Sequence, residues 1–296
     1  MQRDLVGYGQ NSPRVEWPGA ARIAISLVVN YEEGSELSPL HGDERHETYA
    51  ELESPRRPEM RNLMVETQWE YGARAGVWRL LRVLEQGQVK ATFFISALAL
   101  DHNPPLGPAI AAQGHDISGH GYRWVEQWHL DREAEKEDIH RAVVTIEKIT
   151  GRRPLGWWTK AGPSFNTRDL LAEEGFLYDC DAVNDDLPYY SQANGEPWLV
   201  VPYALDSNDG KYWKNGWNTS DSFFQYLRDS FDVLYEEGAT HPKMLSVGLH
   251  SRVSGRPGRA AAVTRFIQYA KGHPNVWFAG RDDVARWWLE RYPPTR

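Results

Sequence analysis

The sequence predicts an α/β protein built as one (β/α) barrel of seven or eight strands. Eight short apolar, β-rich runs are separated by helical patterns, as expected for βαβ units around a parallel sheet buried on both faces. The 296 residues suit one barrel better than two ordinary domains. No internal repeat or low-complexity linker divides them, so 1–296 reads as a single catalytic domain with an N-terminal extension, 1–20.

The first strand candidate, 22–30 (RIAISLVVN), is continuously apolar and rich in β-branched residues. Further candidates follow at 89–96, 115–119, 154–158, 177–182, 198–205, 244–250 and 276–279. Helical periodicity fills the intervals at 77–85, 131–149, 167–174, 222–237, 259–271 and 282–291. Two polar stretches break the alternation, at about 32–61 and 206–219. Both follow strands, which assigns both to the catalytic face of a barrel.

Composition narrows the function. Lys and Arg number 33 against 41 Asp and Glu, a net charge of −8, which leaves no cationic surplus for a nucleic-acid backbone. The single cysteine, Cys180, excludes an internal disulfide. The N-terminal residues lack the apolar core of a signal peptide, and no apolar run approaches ~18 residues. A cytoplasmic protein acting on a small molecule, away from membranes, is the expectation. Thirteen Trp and fourteen Tyr suggest aromatic pocket walls or large subunit interfaces.

Chemistry-bearing residues gather where strands end. The first strand runs into Glu32-Glu33-Gly34; successive side chains of an extended chain alternate, so both carboxylates reach one rim only if Gly34 permits a turn. His120 stands between Gly119 and Gly121, and His250 closes the strand at 244–250. Two histidines and a carboxylate pair at strand ends have acid–base capability near neutral pH. Trp124, Trp157, Trp158, Lys160, Asp179, Asp181, Asn184, Asp185 and Arg252 also follow strands; for the two adjacent tryptophans, pocket wall and buried core are about equally supported.

In this order the residues resemble the polysaccharide deacetylase (NodB-homology) superfamily. Glu32-Glu33 stands for its Asp-Asp motif and His120-Gly121-Tyr122-Arg123-Trp124 for its His-x-x-x-His metal motif. Arg152-Arg153-Pro154, the 179–186 segment and Leu249-His250 stand for the remaining three. The resemblance implies a distorted (β/α) barrel. It also implies a divalent metal, yet Trp124 occupies the second histidine's place, and an indole nitrogen is a donor only. Within that superfamily the chain resembles the PuuE-type allantoinases in particular, through segments such as RDLVGYGQN, YGARAGVWRLL, VNDDLPYY and LSVGLHSR.

That resemblance implies a hydrolase that opens a cyclic amide, allantoin first and another hydantoin or cyclic imide second, without a cofactor and as a homotetramer. Glu32 or Glu33 would take a proton from water, His250 would protonate the leaving nitrogen, and His120 would position or stabilise. Lys160 or Arg252 would meet the developing anion. Trp124 and Trp158, with Asn184 and Asp185, would contact the planar heterocycle. The alternatives are a metal-dependent deacetylase, with a weak zinc site on Glu33 and His120, and a barrel that only binds. One local departure keeps the substrate open: the 159–168 segment, TKAGPSFNTR, lacks the subgroup's first Arg and carries Phe165.

Overall fold

The computed structural model describes residues 4–48, 60–212 and 219–294. Parts of both expected loop insertions, 49–59 and 213–218, lie outside that range.

All eight strand candidates form strands: β1 (Ile23–Tyr31), β2 (Thr92–Ile95), β3 (Asp116–Gly119), β4 (Gly156–Trp157), β5 (Tyr178–Asp179), β7 (Glu196–Val200), β8 (Lys243–His250) and β9 (Val276–Phe278). A ninth strand, β6 (Tyr189–Ala193), pairs antiparallel with β7. The hairpin turns on Asn194 and Gly195, with φ of 50° and 81°. Asn-Gly supplies two such residues cheaply, so this hairpin was legible in the sequence although the strand pattern alone passes over it.

The sheet runs β6-β7-β5-β4-β3-β2-β1-β8 and is parallel apart from the hairpin. β1 is its axis. Along one edge it pairs with β8 over eight registers; along the other, β9 takes Ile23–Ile25 and β2 takes Val28–Tyr31. The curled sheet is an open half-barrel. Between β8 and the far strands the gap is bridged by Met244 N–H to Asp186, Gly248 N–H to Ser207 and the isolated pairing of Asn208 with Gly248.

Helices cover the outside. The first is one long rod: α1 (Leu63–Tyr71), a π-helical turn (Gly72–Gly76) and α2 (Val77–Gly87). Short helices α3 (Ala97–His102) and α4 (Leu106–Ala112) follow β2. α5 (Arg132–Thr150) starts on Asp131, whose carboxylate accepts from Ala134 N–H, and ends at the left-handed Gly151. Then come α6 (Thr167–Glu174), α7 (Asp209–Tyr212), α8 (Ser220–Glu237), α9 (Pro257–Lys271) and α10 (Arg281–Arg291). Among the described residues no helix is long and apolar enough to cross a membrane.

Strand periodicity sorts the core into two compartments. Ile23, Ile25, Leu27, Val29 and Tyr31 of β1 pack outward with the helices. Ala24 and Val28 pack inward with Phe94, Tyr178, Leu199, Val201 and Met244. Continuing the inward register of each strand places the site.

Candidate active site

On the inward register of β1, Ala24, Ser26 and Val28 are followed by Asn30 and Glu32. On β3 the series 116, 118 ends at His120, and on β8 the series 244, 246, 248 ends at His250. These side chains converge on a cavity of about 540 Å³ at the C-terminal ends of the strands. Trp124, Trp158, Lys160, Asp181 and Tyr203 also line it.

Glu32 is the hub. Its Oε1 lies 3.2 Å from His120 Nε2 and 3.6 Å from His250 Nε2, and its Oε2 accepts from Arg252 Nη1 at 2.7 Å. Burial opposes its charge, but Arg252 and the two histidines outweigh that, and its pKa lies far below the ordinary carboxylate range.

Glu33 does not join the cavity. Alternation turns it outward, where it lies under Gly72 of the helical rod, a residue whose place leaves no room for a Cβ. Both its oxygens accept from Ser251 Oγ, at 2.7 and 2.8 Å, and Oε1 accepts from Arg252 N–H at 3.1 Å. Burial and the charge of Glu32 push its pKa up against the pull of Arg252. Gly34, at φ 90°, turns the chain after Glu33 rather than bringing it round to the rim. The expected pair is therefore one cavity carboxylate and one supporting carboxyl, and Glu33 is not placed to share a metal with His120.

His250 is held by a residue that the sequence reading missed. Asp209, at the start of α7, accepts from His250 Nδ1 at 2.6 Å and from the backbone N–H of His250 and Ser254. With Nδ1–H so engaged, Nε2 faces Glu32 and the cavity. Burial disfavours the imidazolium, but Glu32 and Asp209 outweigh it, and the pKa of His250 is raised above 6.5. The sequence signals for Asp209 were its position in a polar loop after a strand and its place in the 205–209 segment, LDSND, which resembles the allantoinases.

His120 donates from Nδ1 to the Trp158 carbonyl at 2.6 Å, since a carbonyl only accepts. Trp124 Nε1–H points at His120 Nε2 from 3.1 Å. The indole thus occupies the lone pair that a metal would use. A divalent ion does not fit these donors: Trp124 blocks His120, Arg252 takes Glu32 Oε2, and Glu33 faces away. Among the described residues no group of three or more His, Cys, Asp or Glu is arranged to hold a metal.

Trp124 is itself sandwiched. Lys160 Nζ stands 3.9 Å from the centre of its ring, and Trp69 packs beside it at 5.2 Å. Arg252 lies over Trp69 at 3.8 Å, completing a stack that fixes the guanidinium against Glu32. Lys160 is buried and bridges Glu47, at 2.9 Å, and Glu126, at 3.2 Å, tying the loop after β1 to the cavity wall.

The two adjacent tryptophans divide by the same alternation. Trp157 faces the outer core against Phe176, while Trp158 packs edge-on against Tyr203 at 4.8 Å in the cavity wall. Asp181 accepts from the backbone N–H and hydroxyl of Thr159, both at 2.7 Å; burial and neighbouring Asp179 push it up to about 7. Asp179 is structural, clamped by Arg168 and Trp198.

Asn184 and Asp185 are not part of the cavity. Asn184 is exposed and accepts from Tyr189 Oη; Asp185 accepts from Leu187 N–H and lines a different hollow, of about 420 Å³. Both lie past the turn out of β5, where the chain has left the strand register. Phe165 projects fully into solvent, so the cavity wall in this segment is formed by residues 160–163 instead.

A curled parallel sheet with one buried carboxylate between two histidines at its C-terminal rim defines a hydrolase of the deacetylase fold class. The chain belongs to the polysaccharide deacetylase family. The family's polysaccharide deacetylase profile matches residues 58–174. A putative polysaccharide deacetylase of Schizosaccharomyces pombe is 36% identical, with 98% of each chain covered. Among solved structures, PuuE allantoinase is similar at 48% identity and TM-score 0.94, over 100% of this chain and 99% of that one. A probable polysaccharide deacetylase from Pseudomonas aeruginosa is similar at 48% identity and TM-score 0.93, with 100% of each chain covered.

Proposed function

We propose that this chain hydrolyses the C–N bond of a cyclic amide, with allantoin or another hydantoin as substrate, and that it needs no resident metal. The observation that carries the reading is the indole N–H of Trp124 on His120 Nε2, 3.1 Å away, in a site where Glu32 and His250 still face the cavity. It removes a metal ligand but keeps an acid and a base. The allantoinase among the similar structures supports the substrate class.

Ring opening needs a nucleophilic water, charge stabilisation and a proton for the leaving nitrogen. Trp158 offers a flat face for the heterocycle. Glu32 Oε1 binds the water and takes its proton as oxygen bonds to the carbonyl carbon. His250, held charged by Asp209 and Glu32, gives its Nε2 proton to the nitrogen as the C–N bond breaks. Lys160, which lines the cavity and is already paired with Glu47 and Glu126, is the cation assigned to the developing oxyanion. Water adds across one bond, and the two protons balance.

A deacetylase acting on N-acetyl sugars is the second reading, favoured by the names of the relatives. One panel separates them: allantoin, hydantoin, dihydrouracil, succinimide and N-acetylglucosamine oligomers, each with and without chelator. Ring opening that survives chelation supports the proposal. Deacetylation that is lost on chelation and restored by Zn²⁺ sinks it. The reading carries with it a cytoplasmic homotetramer; light scattering on the purified protein tests the subunit count, and fractionation of cells the compartment.

A further inference from the structure

One inward-facing group of the cavity has no part in the acid–base chemistry. Asn30 lies one pleat below Glu32 on β1, about 6–7 Å deeper along the strand. Its Nδ2 donates both hydrogens, to the Leu249 carbonyl and to Tyr203 Oη, each at 3.2 Å. Because a carbonyl accepts only, Leu249 settles which end of the amide is nitrogen. Asn30 Oδ1 therefore carries no hydrogen bond from any of the described residues.

Tyr203 is the complement. Its Oη accepts from Asn30 Nδ2 and, at 3.0 Å, from Asn208 Nδ2; the Asn208 amide is oriented by Gly210 N–H donating to its Oδ1 at 2.9 Å. With two amide hydrogens on the oxygen, the hydroxyl's own hydrogen has no acceptor among the described residues. Burial pushes the phenol's pKa well above its ordinary value, so that hydrogen stays in place at any working pH. The hydroxyl sits against Gly248, where a Cβ would overlap it, and Asn30, Tyr203 and Asn208 all line the cavity.

We propose that the Tyr203 hydroxyl and Asn30 Oδ1 form a donor–acceptor pair that reads the C=O/N–H edge of the substrate ring away from the bond being cut. The proposal rests on the cyclic-amide reading and sharpens it. A ring forces its amide cis, placing C=O and N–H on one edge; an open-chain amide is trans and presents them on opposite edges. A pair set deeper than Glu32 selects a ring with a second amide edge, that is, a cyclic ureide rather than a simple lactam. A buried donor and acceptor left unpaired by the wrong ligand discriminate strongly.

The test compares hydantoin with 1-methylhydantoin, in which a methyl replaces the N–H to be read, using wild type and Tyr203→Phe. Wild type is expected to prefer hydantoin by about tenfold or more in kcat/KM. Tyr203→Phe should raise KM for hydantoin about tenfold, leave kcat nearly unchanged and shrink the preference. Equal use of both rings by wild type overturns the pair. So does a Tyr203→Phe protein with lowered Tm but unchanged KM, since that assigns the hydroxyl a structural role alone. If Tyr203→Phe does not fold, the wild-type comparison of the two rings decides. If wild type opens neither ring, the ring-opening reading fails by itself. Calorimetric binding then decides the pair: hydantoin bound about tenfold tighter than its 1-methyl analogue supports it, and equal or absent binding overturns it.

Discussion

Glu32 and Glu33 are chemically alike and adjacent, and one half-turn of the strand separates their roles. Glu32→Gln removes the charge facing both histidines and should lower kcat by about 10²-fold or more, measured as ring opening. Glu33→Gln should keep most of kcat and lower Tm instead, because its carboxyl touches Ser251 and Arg252 rather than the cavity. Equal losses in the two variants would contradict the assignment. The pH profile adds a second check at this scale. The raised pKa of His250 makes activity fall only as pH climbs above 6.5 through that raised value. Asp209→Asn removes one of the charges that outweigh burial, so its alkaline limb should move to lower pH and kcat should drop. The linked stability has the same sign. It is fully present below the unfolded pKa and is lost as pH rises through the folded one.

Elements carry these residues, and most were legible from periodicity. Apolar runs located every parallel strand because most of them, β1 and β8 above all, are buried on both faces, and the helices of the outer layer kept their 3.6-residue pattern. Two kinds of element were harder. β6 is half-buried and lacks an apolar run, so only its Asn-Gly turn announced it. The helical rod before β2 begins at Leu63, well ahead of the amphipathic stretch at 77–85, because its first turns are positioned by the site rather than by an apolar stripe. In that rod Gly76 touches Ser251, whose carbonyl a Cβ would strike. Gly76→Ala should therefore destabilise the protein by about 1–3 kcal/mol, read from the urea midpoint, although alanine is the better helix former. A stabilised variant would show that the rod and the Ser251 turn are not in firm contact.

Across the whole molecule, acid sensitivity has a structural source away from the cavity. His115 is buried with fixed tautomer: Nδ1 accepts from Ala91 N–H and Nε2 donates to Gln113 Oε1. Burial and Lys90 lower its pKa from 6.5 to about 4. The unfolded chain thus binds the proton first, and stability is lost as pH falls from 6.5 towards about 4. His115→Gln should flatten the dependence of Tm on pH across that window, and an unchanged slope would place the loss elsewhere. At still lower pH, protonation of Glu32 removes the partner of Arg252 and the histidines.

The sequence alone determined the fold class, the strand and helix order, and the strand ends at which chemistry had to sit. These depend on local periodicity, which one residue's neighbours in the chain are enough to reveal. It also marked Trp124 as the residue that breaks the metal motif. Tertiary structure decided which of two adjacent glutamates faces the cavity, that Asp209 holds His250, that Asn184 and Asp185 lie elsewhere, and that Asn30 meets Tyr203. Each of those depends on register between elements far apart in sequence: β1 against β8 and β2, and the 203–209 segment against the open edge of β8. Pairing of that kind is set by how the whole sheet curls, and no local pattern encodes it.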